Sequence, residues 1–215
     1  MANIPIDWPH LLEALALLLF PLGLILGRNV GWRGFTSATV GGDFSWWQSS
    51  LKLPVLWLDA PRAYLGTLLL SDPNFALPSV RPQDATVRLM LILGVLGLAQ
   101  LAQMFMLRQP DDDEKSMAAP VSYVIGMIFA LVPQTPQGLL VAGLAVLVAS
   151  ACAAGFRSWH GFFLGGMAGL MLPGILLLGN FTLLLTPALL LFEPVLASLV
   201  FQRELAVPVR RAQGG

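Results

Sequence analysis

A single carboxyl group interrupts the last long apolar stretch of this sequence. Glu193 is the thirteenth of the 21 residues of 181–201, and Gln100 is the fourteenth of the 21 residues of another apolar stretch, 87–107. An acidic side chain inside a bilayer can relay protons, bind a cation or contact a substrate. It can also be a protonated or hydrogen-bonded structural group that is satisfied by Gln100, Gln103 or Thr186. We expect the structural role for Glu193.

A second polar pair lies in the apolar stretch 53–70. Asp59 and Arg62 are three residues apart, a spacing that places both side chains on one face of a helix. Charges at membrane depth are costly unless they are paired. Pro61, between them, lacks an amide proton and favours a kink or a break. Stretch 53–70 can therefore cross the bilayer, dip into it or lie flat on it.

Metal and cofactor chemistry has little support. His10 and His160 each begin an apolar stretch, and bis-histidine haem ligation needs two imidazoles at one depth. The topology favoured below places the two histidines on opposite faces of the membrane, which excludes haem ligation by this pair.

Residues 111–114 carry four successive carboxylates, which we expect in a solvated loop because neighbouring side chains converge poorly on one ion. The only cysteine, Cys152, lies in an apolar stretch and is expected to fill space. We predict no metal and no cofactor.

Soluble enzyme and nucleic-acid functions also lack a signature. The sequence has no Gly-x-Ser-x-Gly, no His-Glu-x-x-His, no Cys-x-x-Cys and no phosphate-binding glycine loop. Lysine plus arginine equals aspartate plus glutamate, with 12 of each, so no general attraction to nucleic acid is expected.

The elements that carry these residues are apolar helices. Hydrophobic residues make up 56% of the 215-residue chain and charged residues 11%, and the mean hydropathy is +0.75. About 20 apolar residues suffice for one helical crossing. The apolar stretches are 8–26, 53–70, 87–107, 117–132, 139–154, 162–179 and 181–201. The pattern predicts an all-α, polytopic transmembrane helical bundle of six or seven segments, with 53–70 as a broken or interfacial segment.

One membrane domain accounts for the whole length. We predict a single integral membrane domain over 1–215, with a long interfacial connecting region at 27–86 and a short polar tail at 202–215. A separate soluble domain of ordinary size has no room.

The distribution of basic residues favours seven crossings, because lysine and arginine in short loops stay in the cytoplasm. If 53–70 does not cross, the basic residues divide evenly between the two faces. If it crosses, nine lie on one face and two, Arg81 and Arg88, on the other, with Arg62 in the membrane. We therefore predict that the N-terminus is outside and the C-terminus cytoplasmic. Short loops suggest a bacterial inner membrane.

Small residues recur every fourth position in three places, a spacing that lets helix backbones approach closely in lipid. The three stripes are Gly23, Gly27 and Gly31; Ala145, Ala149 and Ala153; and Gly161, Gly165 and Gly169. The second and third stripes lie on consecutive segments, so we predict that these pack as an antiparallel pair. The first stripe is then free for another helix or a partner.

Three functions remain open. We favour a non-catalytic multipass subunit, or an assembly component, of a larger membrane complex, whose partners are the lipid bilayer and other membrane subunits. The first alternative is a small transporter or channel that uses Glu193 and Gln100, with Asp59 and Arg62 as further candidates. The second is an interfacial enzyme that acts on a lipid-linked substrate through residues 43–62.

Overall fold

A computed structural model describes residues 7–20, 30–34, 54–71, 84–106 and 116–210. Within these ranges the chain forms seven helices and one small sheet, which confirms the helical class. In chain order the elements are α1 (Trp8–Leu19), β1 (Val30–Gly34), α2 (Pro54–Ser71), α3 (Asp84–Met106), β2 (Ser116–Ala118), α4 (Val121–Leu131), α5 (Pro136–Phe156), α6 (Trp159–Leu178), α7 (Phe181–Phe201) and β3 (Glu204–Arg210).

Four of the described helices are long and apolar enough to cross a membrane. They lie in α3, α5, α6 and α7, over Thr86–Phe105, Pro136–Phe156, Trp159–Leu178 and Phe181–Phe201. Helices α1 and α4 are apolar but have only 12 and 11 residues. At about 1.5 Å per residue each is shorter than the hydrocarbon core. The number of crossings, six or seven, therefore stays a prediction.

Helix α1 ends earlier than the apolar stretch 8–26 suggests. Its last residue is Leu19, and Phe20 already has a non-helical ψ of 124°. Proline at position 21 explains this end, because its ring disfavours the helical conformation in the preceding residue. Gly31 lies in β1, opposite Val209 of β3, so the predicted helical glycine stripe does not extend to Gly31. Its other two members, at 23 and 27, lie outside the described residues.

Side-chain caps define the starts of the last three helices. Thr135 accepts a hydrogen bond from the backbone N–H three residues later, and Ser158 and Asn180 each accept one from the N–H two residues later. These bonds satisfy donors that a helix start leaves without a partner. Arg157 and Gly179 end α5 and α6 in the left-handed conformation. Short capped turns therefore hold α5, α6 and α7 as consecutive hairpins.

Helices α5 and α6 have the most extensive contact of any pair among the described elements. A Cβ atom on Gly165 would lie 2.5 Å from the Cβ of Cys152, and one on Gly169 would lie 2.7 Å from the Cβ of Val148. A Cβ on Gly161 would lie 2.9 Å from the carbonyl oxygen of Cys152. The glycine stripe of α6 therefore lies directly against α5, where larger side chains would overlap. The alanines of the α5 stripe, Ala145, Ala149 and Ala153, are all buried.

A three-stranded sheet joins distant parts of the chain. Its strand order is β1-β3-β2, with β3 antiparallel to β1 and parallel to β2. The central strand follows α7 directly, after Gln202 turns the chain with a φ of 51°. Three of its residues, Leu205, Ala206 and Val207, are at most 5% exposed. The region 202–215 was predicted to be a polar tail, because a strand this short has no hydropathy signal of its own.

Candidate functional site

The predicted polar pair of α2 lies inside the helical bundle. Asp59 is 4% exposed and Arg62 is 8% exposed. The Nη2 atom of Arg62 donates a hydrogen bond to Oδ1 of Asp59, which makes this a buried ion pair. Helix α2 is continuous from Pro54 to Ser71 with Pro61 inside it, so the predicted break is not observed.

The other side of the Arg62 guanidinium caps the end of α1. Its Nη1 atom lies 2.6 Å from the carbonyl oxygen of Leu17, 3.1 Å from that of Leu18 and 3.2 Å from that of Phe20. The last carbonyl groups of a helix have no partner within the helix, and the negative end of its dipole attracts a cation. Arg62 therefore satisfies the end of α1, and its hydrogen bond to Leu18 is buried.

One carbonyl oxygen in this region connects four helices. The carbonyl of Leu18 also accepts hydrogen bonds from Nε2 of Gln103 on α3, at 2.9 Å, and from the hydroxyl of Tyr123 on α4, at 3.1 Å. The guanidinium carbon of Arg62 lies 5.2 Å from the centroid of the Tyr123 ring, within the range of a cation–π contact. We call these five residues, Leu18, Asp59, Arg62, Gln103 and Tyr123, the Leu18 cluster. It fixes α1 to α2, α3 and α4.

The second polar region lies between α3 and α7. Gln100 is fully buried, and its Nε2 atom donates to the carbonyl oxygen of Leu190 at 2.9 Å. Three residues earlier on α3, a Cβ on Gly97 would lie 3.2 Å from Oε2 of Glu193. Gln100 and Glu193 thus lie on contacting helices. Gln100 and Gln103 both donate to main-chain carbonyls, and Oε1 of Glu193 accepts no hydrogen bond from Gln100, Gln103 or Thr186, so the predicted contact is not observed.

Glu193 itself lies on the outer side of α7. Its exposure is intermediate, and the residues one turn away on the same side, Leu189 and Leu196, are 42% and 49% exposed. Its Oε1 atom is buried and has no hydrogen-bond partner among the described residues. Oε1 of Gln100 has none either within that part of the chain. A carboxyl group in this position is the least satisfied polar group of α7.

A chain of hydrogen bonds links the start of α6 to the end of α7. Nε2 of His160 lies 2.9 Å from Oγ of Ser198, and that hydroxyl donates to the carbonyl oxygen of Arg203 at 2.5 Å. On the other side of the imidazole ring, Nδ1 lies 3.3 Å from Oγ of Ser158. Because the Ser198 proton is used by Arg203, Nε2 of His160 is the donor. The histidine does not act as a base towards this serine.

No sequence pattern predicts this chain of hydrogen bonds. His160 and Ser198 are 38 residues apart, and neither belongs to a motif. The hydrogen bonds among His160, Ser198 and Arg203 join α6, α7 and the start of β3. The other histidine, His10, lies 2.8 Å from Oδ2 of Asp7 at the start of α1.

Metal ligands do not converge in the part of the chain that the structure describes. No group of three or more histidine, cysteine, aspartate or glutamate side chains there is placed to hold a metal ion. The acidic residues 111–114 lie outside the described ranges. Cys152 is partly buried between α5 and α6, against Gly161 and Gly165.

The fold and these polar clusters are compatible with a helical membrane protein. Four helices are long and apolar enough to cross a bilayer, and the buried side chains of Arg62, Gln100 and Gln103 donate to main-chain carbonyls. Compared with protein-family models, curated proteins and solved structures, the chain matches none of them.

Proposed function

We propose that this protein is a non-catalytic multipass subunit that assembles with other proteins in a bacterial inner membrane. One observation carries the proposal. The side chains of Arg62, Gln100, Gln103 and Tyr123 all donate hydrogen bonds to main-chain carbonyls of the same chain. Polar groups used in this way hold helices in place. Rigidly held helices suit a subunit that other proteins bind.

The same hydrogen bonds argue against a transport path through the Leu18 cluster. A path for ions or solutes needs polar groups that can bind and release a moving ligand. In the Leu18 cluster, however, the Arg62 guanidinium is already shared between Asp59 and the end of α1. Releasing it would leave a buried carboxylate and several carbonyl groups without partners, which is strongly unfavourable.

The sheet supports the proposed topology of seven crossings. Strand β1 follows the first apolar stretch, and β3 follows the last; the two pair from Val30 opposite Arg210 to Gly34 opposite Ala206. Paired strands lie on the same face of a membrane. With seven crossings both strands are cytoplasmic, whereas with six they would be on opposite faces. The proposed orientation therefore has the N-terminus outside and the C-terminus in the cytoplasm.

Purification from native membranes tests the subunit function. The tagged protein is extracted in mild detergent, and the mass of the particle is measured by native mass spectrometry. We expect stoichiometric partner proteins that survive size-exclusion chromatography. A lone monomer under several mild detergents would contradict the proposal.

A small transporter is the second candidate, and a specific observation favours it. The Oε1 atoms of Glu193 and Gln100 are both buried and lack hydrogen-bond partners within the described residues. The carboxyl group of Glu193 can take up and release a proton, and both oxygen atoms can coordinate a cation. Proton and cation flux into proteoliposomes tests this function, with a Glu193→Gln variant as the comparison. The enzyme alternative stays a prediction, since residues 43–53 of its proposed active segment lie outside the described ranges.

A further inference from the structure

Glu193 interrupts an apolar stripe on the outer face of α7. The exposed residues of this face recur every three or four positions: Leu189, Phe192, Leu196, Leu199 and Val200. Glu193 lies among them at intermediate exposure, near the middle of a 21-residue helix. In lipid, an acidic side chain at this depth is costly unless another group satisfies it.

A groove on α3 runs beside this carboxyl group. A Cβ on Gly94 would have no neighbour within 4 Å, and the three atoms nearest to a Cβ on Gly97 would all belong to the carboxyl group of Glu193. Leu98, on the same side of α3, is 70% exposed. Glycines one turn apart leave space for the backbone of another helix to approach. The groove and the carboxyl group thus form one continuous surface.

The described part of the chain does not supply the missing hydrogen-bond donor. Oε1 of Glu193 is buried and has no partner there, and the amide of Gln100 is used by Leu190; Oε2 lies over Gly97 and is the atom that a partner helix would meet. We propose that this surface, formed by Gly94, Gly97 and Leu98 of α3 and by Glu193 and Leu196 of α7, binds a transmembrane helix of another subunit. We call it the Glu193 face. This inference rests on the proposed function and identifies its docking surface.

Charge complementarity identifies the chemistry of the partner helix. The partner helix carries a lysine or arginine side chain at the depth of Glu193, because opposite charges offset each other's cost in the membrane. A second copy of this chain is the weaker candidate. Symmetric pairing through the same face would bring two Glu193 carboxyl groups together, and like charges repel.

Site-specific photo-crosslinking in native membranes tests the Glu193 face. A photoreactive phenylalanine analogue replaces Leu98, and in a control it replaces Leu147, a leucine of α5 that is 65% exposed. Crosslinked peptides are then identified by mass spectrometry. We expect the probe at position 98 to capture a transmembrane peptide that contains lysine or arginine. The probe at position 147 should not capture that peptide.

Two glycine variants provide a matched control for shape. Gly94→Leu fills the groove, and Gly143→Leu places the same side chain on the outer face of α5; a Cβ at either position has no neighbour within 4 Å. We expect Gly94→Leu to lower the crosslinking yield about tenfold, the effect of losing about one interhelical contact, while Gly143→Leu leaves it unchanged. Both variants should keep the thermal stability of the isolated protein.

A charge exchange tests the chemistry. Glu193→Lys should abolish the crosslink at position 98, and replacing the partner's basic residue by glutamate should restore it. A captured peptide of this same chain, a captured peptide without a basic residue, or an unaffected yield in Gly94→Leu would overturn the inference. If an intact complex crosslinks only through other faces, the subunit function stands and the Glu193 face is wrong. A lone monomer would instead refute the subunit function itself.

Discussion

The guanidinium of Arg62 lies 3.1 Å from the carbonyl oxygen of Leu18, so a side chain of α2 completes the end of α1. Helix α1 has 12 residues, and the carbonyl groups at its end accept hydrogen bonds from Arg62. Arg62 supplies both a hydrogen-bond donor and a positive charge at the negative end of the helix dipole. Asp59 balances that charge in turn.

Removing Arg62 should destabilise the protein strongly. Arg62→Leu leaves Asp59 as an unpaired buried carboxyl and leaves the end of α1 without a donor, at a cost of about 3–5 kcal/mol. The double variant Asp59→Leu with Arg62→Leu should be more stable than Arg62→Leu alone, because no unpaired charge remains. Thermal unfolding in detergent measures both. Equal losses of thermal stability for the single and double variants would show that the ion pair contributes nothing to stability.

Gly126 of α4 should not tolerate even one added methyl group. Its missing Cβ would lie 2.1 Å from the carbonyl oxygen of Ala60 on α2, a main-chain atom that cannot move alone. Gly126→Ala should lower stability by about 1–3 kcal/mol, the usual range for overpacking. Gly143→Ala is the control, since a Cβ there meets nothing within 4 Å. Similar unfolding temperatures for the two variants would contradict the close packing of α2 and α4.

The contact between α5 and α6 should respond to paired substitutions. Gly165→Ala places a Cβ 2.5 Å from the Cβ of Cys152 and 2.7 Å from its Sγ, and Gly165→Leu should be more harmful still. In a Cys152→Gly background, Gly165→Ala should cost less, because both clashing atoms are gone. A double-mutant cycle on unfolding temperatures gives the coupling between positions 152 and 165. Independent effects at the two positions would mean that Gly165 does not face Cys152.

The β1–β3 pairing makes the topology testable with a disulfide. Trp32 and Pro208 are opposite each other in the antiparallel register, and opposite residues have Cβ atoms about 4.5–5.5 Å apart. Cysteines at 32 and 208, in a Cys152→Ala background, should form a disulfide on mild oxidation. Cysteines at 32 and 205, which are not opposite, should not. Reporter fusions at the two termini should then lie on opposite faces of the membrane, and fusions on the same face would exclude seven crossings.

Glu193 should tolerate glutamine better than lysine. The amide keeps the size of the carboxyl group and its ability to accept a hydrogen bond, so Glu193→Gln should keep function and should keep assembly, with a weaker interface because the partner's basic residue loses its opposite charge. Glu193→Lys should lose both, since it places a positive charge where an acceptor is needed. Particle mass and unfolding temperature are measured together. A Glu193→Gln protein that is stable and assembled but loses proton or cation flux would favour the transporter.

The helical class and most helix positions follow from local sequence. Stretch 181–201, for example, coincides with helix α7 because its apolar character and its capping residue Asn180 are local properties. The end of α1 was predicted seven residues late, at 26 instead of 19, because hydropathy continues past the proline at position 21. The sheet was not predicted, since its short strands lie far apart in the chain.

Hydropathy identifies which polar residues lie in apolar surroundings: Asp59, Arg62, Gln100, Gln103 and Glu193. The groups that these residues bind are defined by the folded bundle. Gln103 and Tyr123 donate to Leu18 across 85 and 105 residues of chain, and no local pattern encodes those partners. Hydropathy is a property of each segment and can be read in the chain. A hydrogen-bond partner depends on which helix faces pack together, which the folded bundle alone defines.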